Sequence, residues 1–261
     1  MTSRRPPALA VAGGAVAIVF FALPFLGLLQ RARWSTLWRD LTTPAALDAL
    51  RLSVLCALGA SAISVLFGTP LAWLLARVTF RGRRAVRALV LLPMVLPPVV
   101  GGVALLAAFS LRSPLGGALH DALGVQLTFS PAGVVLAQTF VAMPFYVLTL
   151  EAALAGVDAR YEEAAASLGA TPFVAFRRVT LPLVAGSVAA GTVLAFARAL
   201  GEFGATITFA GNIRGRTQTL PLDVYLLLES DTHAAIALSF VLLALSVTAL
   251  VTLRERWLVR A

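Results

Sequence analysis

The chain has 261 residues, of which 59% are hydrophobic and 13% charged, where a soluble domain carries about 25% charged residues. So little charge cannot cover the outside of a water-soluble globule, and a mean hydropathy of +0.91 makes lipid the outer solvent, which excludes a soluble enzyme. The net charge of +9 comes from 21 arginines, with no lysine, against 12 acids; they lie in short clusters between apolar runs rather than on one stripe, which argues against a nucleic-acid partner.

Apolar runs occupy about 8–29, 52–76, 88–111, 132–154, 181–210 and 234–253, each near the length that crosses a hydrocarbon core. An all-α membrane protein with six transmembrane helices is predicted. The first run follows Arg4 and Arg5 and is too long for a signal segment. It has no small-residue cleavage site after it, so it reads as an uncleaved helix. Residues 1–44 then form this helix and an outward loop in which Trp34 and Trp38 serve as interfacial anchors. The main transmembrane domain is 45–254, followed by a cytoplasmic tail, 255–261.

The third run carries Pro93, Pro97 and Pro98 followed by Gly101 and Gly102. Prolines remove backbone donors and kink a membrane helix, and glycines let another chain segment or a solute come close, so Pro97, Pro98 and Gly101 are candidate pathway residues. In the outward loop 112–131, Ser113-Pro114-Leu115-Gly116-Gly117 and Ser130-Pro131 read as turns. The loop 155–182 contains good helix formers from Arg160 to Leu168, with acids in the first turn and Gly169 as a stop. Its alanines leave a smooth face suited to a groove in another protein.

The fifth run enters at Leu181 and contains two features. Ser187 and Gly191, four apart, form a small-residue face suited to close helix packing, including packing on a second copy. Arg198 and Glu202 are also four apart, which allows either an ion pair or contact with solute. They join Gly204 and Thr206 as pathway candidates. The last outward loop is 211–232. Thirteen arginines fall on the side of both termini and six on the other, which puts the amino and carboxyl ends in the cytoplasm. Cys56, His120 and His233 are too few and scattered to hold a metal or to serve a membrane-embedded enzyme.

Glu163-Ala164-Ala165, three residues, Gly169, nine residues, Val179, one residue and Leu181-Pro182 together resemble the EAA loop of ABC importer permeases. Gly201 to Thr206, Gly211-Asn212, Thr217 to Leu222 and Pro97 to Gly101 resemble the molybdate and sulfate branch of that family. The resemblance implies a type I importer permease fold in the cytoplasmic membrane of a prokaryote. It implies that Glu163, Ala164, Ala165, Gly169, Leu181 and Pro182 couple the chain to an ATPase. It implies as partners a second copy of the chain, two ATPase subunits and an extracytoplasmic molybdate-binding protein, in contact with membrane lipid. Sulfate, tungstate or another small solute is the alternative cargo. The chain has no Gly-x4-Gly-Lys-Ser/Thr loop, so ATP and magnesium are expected on the partner and no cofactor on this chain.

Overall fold

Four helices begin at a Ser-Pro or Thr-Pro pair, and in each the hydroxyl caps the first turn. The acceptors and donors are Thr43 with the Ala46 amide (3.2 Å), Ser113 with Gly116 (3.0 Å), Ser130 with Gly133 (3.1 Å) and Thr171 with Val174 (3.4 Å). Proline follows the cap because the first helical residue needs no amide hydrogen. The structure, a computed structural model, describes residues 8–258, and no strand occurs among them. In chain order the helices are α1 Ala8–Arg31, α2 Leu37–Leu41, α3 Pro44–Arg77, α4 Arg83–Val95, α5 Pro98–Phe109, α6 Pro114–Leu123, α7 Pro131–Gly156, α8 Arg160–Ser167, α9 Pro172–Ala175, α10 Leu181–Leu183, α11 Ala185–Leu200, α12 Gly204–Phe209, α13 Leu220–Ser230 and α14 Thr232–Leu258, with a π-helical turn at Phe176–Thr180 between α9 and α10. Arg4, Arg5 and Arg260, used above to orient the chain, lie outside the described residues.

Among the described residues, four helices are individually long and apolar enough to cross a membrane: Leu9–Arg31, Pro44–Arg77, Pro131–Gly156 and Thr232–Val251. Two bent pairs bring the number of candidate spans to six. The first is the kink expected from its prolines, while the second breaks a run that reads in the sequence as one continuous span. The run 88–111 is broken between α4 and α5 by a 120° bend, because Pro97 and Pro98 supply no amide hydrogens and Pro97 takes an extended conformation. The run 181–210 is three pieces. A 73° bend separates Pro172–Leu183 from α11, with Val184 leaving helical geometry just after Pro182, and Gly201 to Phe203 interrupt it again before α12.

The loops also hold more structure than expected. Ser113-Pro114 starts α6 rather than a turn, and α6 closes at Gly124 in the left-handed region. His120 is therefore helical, and α13 occupies half of the loop expected over 211–232.

The core is built where α3, α7 and α11 meet. Leu75, Tyr146, Val147, Leu150, Leu154, Ala195 and Leu200 are buried together, and the Tyr146 hydroxyl lies 2.7 Å from that of Thr69. Gly191 sits under Tyr146, whose Cα would be 3.4 Å from an added Cβ. The Gly191 end of the small-residue face is thus packed inside this chain, on α7, while Ser187 is half-buried. A second cluster joins α5, α7 and α12 through Leu105, Ala137, Val141, Ala205 and Phe209. At the edge, beside α14, α1 leaves most of its side chains exposed.

Candidate functional site: an exposed helix and a buried polar seam

Two regions gather the residues singled out by sequence. In the first, α8 stands off the bundle. Glu163 and Ala164 are exposed and Ala165 half-buried, while Leu181 is half-buried and Pro182 exposed. Gly169 has φ +85° with nothing within 4 Å of where a Cβ would sit, so its requirement for glycine is one of backbone conformation rather than space. Leu168, 90% exposed just after the last turn of α8, and Tyr161, exposed in its first turn, both project from the bundle.

The residue that fastens α8 is its neighbour Glu162. Its carboxylate accepts from the Thr180 hydroxyl at 2.6 Å and pairs with Arg77, at the end of α3, at 3.4 Å. Arg77 also donates to the Val157 carbonyl at 3.1 Å. A second pair, Arg87 with the buried Glu151, ties α4 to α7. Sequence reasoning missed both acids. Glu162 was overshadowed by the motif residue beside it. Glu151 could have been found as the one acid within an otherwise uncharged span, a position that demands a partner.

In the second region, α5 and α12 pack directly on each other and on α7. Pro98 and Gly204 are brought together: a Cβ on Gly204 would fall 2.8 Å from that of Pro98. Gly101 faces the ring of Phe140 on α7 instead. Pro97 precedes α5 as its cap residue.

Arg198 and Glu202 form an ion pair at 2.7 Å, with the Glu202 side chain 1% exposed. The other carboxylate oxygen accepts from the Ala205 amide at 2.9 Å, so Glu202 also caps the first turn of α12. The i, i+4 spacing thus forms an ion pair that leaves the Arg198 side chain 27% exposed.

Thr206 is fully buried, and its hydroxyl has no hydrogen-bond partner among the described residues. The same is true of both amide atoms of Gln138 on α7. Val134 packs with Ala210; one turn inward on each of these antiparallel helices lie Gln138 and Thr206. Gln138 is thus part of the seam that sequence did not flag, a lone amide in an apolar run. Desolvating an unpaired polar group costs about 1–3 kcal/mol. Gln138→Leu is therefore expected to raise the melting midpoint of the detergent-solubilised protein by a few degrees. A lower midpoint in differential scanning fluorimetry would show the amide to be a net stabiliser.

Comparison with known proteins completes the description. Residues 68–260 match the family described as "Binding-protein-dependent transport system inner membrane component". The chain is 51% identical over 236 residues to the molybdenum transport system permease protein of Mycobacterium bovis, covering 90% of this chain and 88% of that one. It is 41% identical over 212 residues to the protein of the same name from Escherichia coli, covering 80% and 93%. A sulfate transport system permease protein of Salmonella typhimurium is 38% identical over 219 residues, covering 84% and 79%. Among solved structures, a bacterial ABC transporter that imports the acidic polysaccharide alginate matches with a TM-score of 0.70 at 20% identity, over 95% of this chain and 93% of that one; that likeness is one of fold.

Proposed function

The chain belongs to the family of binding-protein-dependent transport system inner membrane components, and from that premise we propose that it is the membrane subunit of an ATP-driven importer that passes molybdate into the cell. The cargo rests on the likeness to molybdenum permeases over 90% of the chain. The subunit is a transporter part rather than an enzyme. Two copies line the path, an extracytoplasmic binding protein delivers the anion, and two ATPase subunits, which hold ATP and magnesium, dock on α8.

One observation supports the docking above others: a solvent-facing helix end that leaves Leu168 90% exposed while its root is fixed by Glu162 to Thr180 and Arg77. An apolar side chain offered to solvent on a firmly anchored helix suits a protein groove. The excess of arginines on this side, thirteen to six, supports a cytoplasmic position for it. Glu163, Ala164, Ala165 and Gly169 form the docking surface in this reading, and Leu181 and Pro182 begin the segment that carries its motion inward. The chain of contacts is continuous. From α8 it runs through Thr180 to α11, whose Arg198 holds Glu202, whose carboxylate caps α12 in the seam with Pro97, Pro98, Gly101, Gly204 and Thr206. Opening that seam is the step by which the path would be exposed to one side and then the other.

Glycine 169 supplies the test. Proline, with φ fixed near −65°, cannot adopt the left-handed turn, so Gly169→Pro is expected to lower molybdate uptake at least about tenfold in cells lacking their own molybdate permease, at normal protein level; a tenfold change corresponds to about 1.4 kcal/mol, less than such backbone strain. Uptake equal to that of the parent would overturn the coupling role. Excess sulfate is expected to leave molybdate uptake by the parent unchanged, and strong competition would favour sulfate as the cargo.

A further inference from the structure

The second to fourth turns of α3 and the start of α7 enclose a cleft of about 480 Å³. Its wall is apolar below, with Leu52, Leu55, Cys56 and Val135, and charged at the rim, where Asp48 and Arg51 stand beside Pro131 and Gly215. Asp48 and Arg51 are exposed, and neither enters any ion pair among the described residues. The positive end of the α7 helix dipole opens onto the same rim at Pro131 and Ala132.

The depth of this rim follows from helix length. With 34 residues, α3 is about 50 Å long at 1.5 Å per residue, and overshoots a hydrocarbon core of ~30 Å by about 10 Å at each end. Arg51, seven residues beyond Pro44, therefore lies about 10 Å along the helix, at the edge of the hydrocarbon core, from which its long side chain reaches up to lipid phosphates, and Leu52, Leu55 and Cys56 descend into the acyl region.

We propose that this cleft binds a phospholipid with a dipolar headgroup, its phosphate on Arg51 and the start of α7, its ammonium beside Asp48, and its acyl chain along Leu52, Leu55 and Val135. The charges select the headgroup. Phosphatidylglycerol, whose headgroup beyond the phosphate is uncharged, would satisfy Arg51 but leave Asp48 without a countercharge, whereas phosphatidylethanolamine complements both. The site stands apart from the transport reading and requires only that the chain lie in a membrane.

The experiment is native mass spectrometry of the chain purified with its partner subunits and equilibrated in detergent with equal phosphatidylethanolamine and phosphatidylglycerol. The parent is expected to retain phosphatidylethanolamine in preference. Arg51→Gln, which removes a charge-assisted bond to phosphate, should reduce retention about tenfold, and Leu55→Trp, which fills the slot, should do the same. Asp48→Asn should leave total lipid unchanged while shifting the preference toward phosphatidylglycerol, a result that misfolding would not give. Three outcomes would overturn the proposal: parental retention in both Arg51→Gln and Leu55→Trp, equal retention of the two lipids by the parent, or efficient disulfide formation between two copies carrying Leu55→Cys in a Cys56→Ala background, which would show this face to be covered by protein.

Discussion

Glu202→Leu is expected to lower the melting midpoint of the detergent-solubilised protein by on the order of 10 °C, and Arg198→Leu combined with it to recover most of that loss. The side chain of Glu202 is 1% exposed, and it makes two contacts that no apolar residue can replace, the 2.7 Å pair with Arg198 and the 2.9 Å bond from the Ala205 amide. Removing Glu202 leaves Arg198, whose side chain is 27% exposed, without its partner, at a cost of about 3 kcal/mol, the lower end of the range for breaking a buried pair. Removing both leaves only the uncapped start of α12, worth about 1 kcal/mol. The double-mutant cycle therefore separates the ion pair from the cap. A double variant as unstable as the single one would mean that the carboxylate acts on α12 alone.

Gly102→Leu is expected to force α5 and α12 apart and to lower both the folded yield and the melting midpoint, by about 3 kcal/mol in stability, the upper end of the usual range for overpacking. An added Cβ at this position would lie 2.6 Å from the Cβ of Thr208, 2.9 Å from the Ala205 carbonyl oxygen and 3.1 Å from the Ala205 Cα. Backbone cannot rotate away as a side-chain tip can, so the helices themselves must move. The control is Gly186→Ala on α11, where nothing lies within 4 Å; there the substitution gains about 0.5–1 kcal/mol from the lower backbone entropy of alanine. Circular dichroism melts of the two variants should move in opposite directions. Equal melts for Gly102→Leu and parent would show that the α5–α12 contact is not a fixed part of the fold.

The class of fold was legible in composition because a bilayer makes few demands: long apolar runs, arginines between them and prolines at the ends. Gly169 was legible for a similar reason, since one backbone angle needs one residue type. The bends were harder. Pro93, Pro97 and Pro98 announced a distortion of the third run, but a proline states that a hydrogen bond is missing and not where the next helix points. The 120° angle is set by α12 and α7, which seat α5 through Gly204, Ala205 and Phe140. The break at Val184 carried still less signal, because Val184 has no unusual backbone chemistry and its place in the core with Leu75 and Leu154 decides its conformation. Among site residues, the spacing of Arg198 and Glu202 made their pairing one of two readings, and the structure forms the pair. Gln138 and Glu162 escaped because their importance depends on partners or burial supplied from elsewhere in the chain.

The corner at Val184 divides the polypeptide between α8 and the seam into two unequal arms. Pro172–Leu183 spans 12 residues and α11 spans 16, roughly 18 and 24 Å at helical rise, and they meet at 73°. Val184 itself is 3% exposed, wedged in the core as a fulcrum would be. A rotation about that point, in the plane of the two arms, moves the free end of each at right angles to its own length, and carries Arg198, about 21 Å from the corner, about a sixth farther than Pro172, about 18 Å from it.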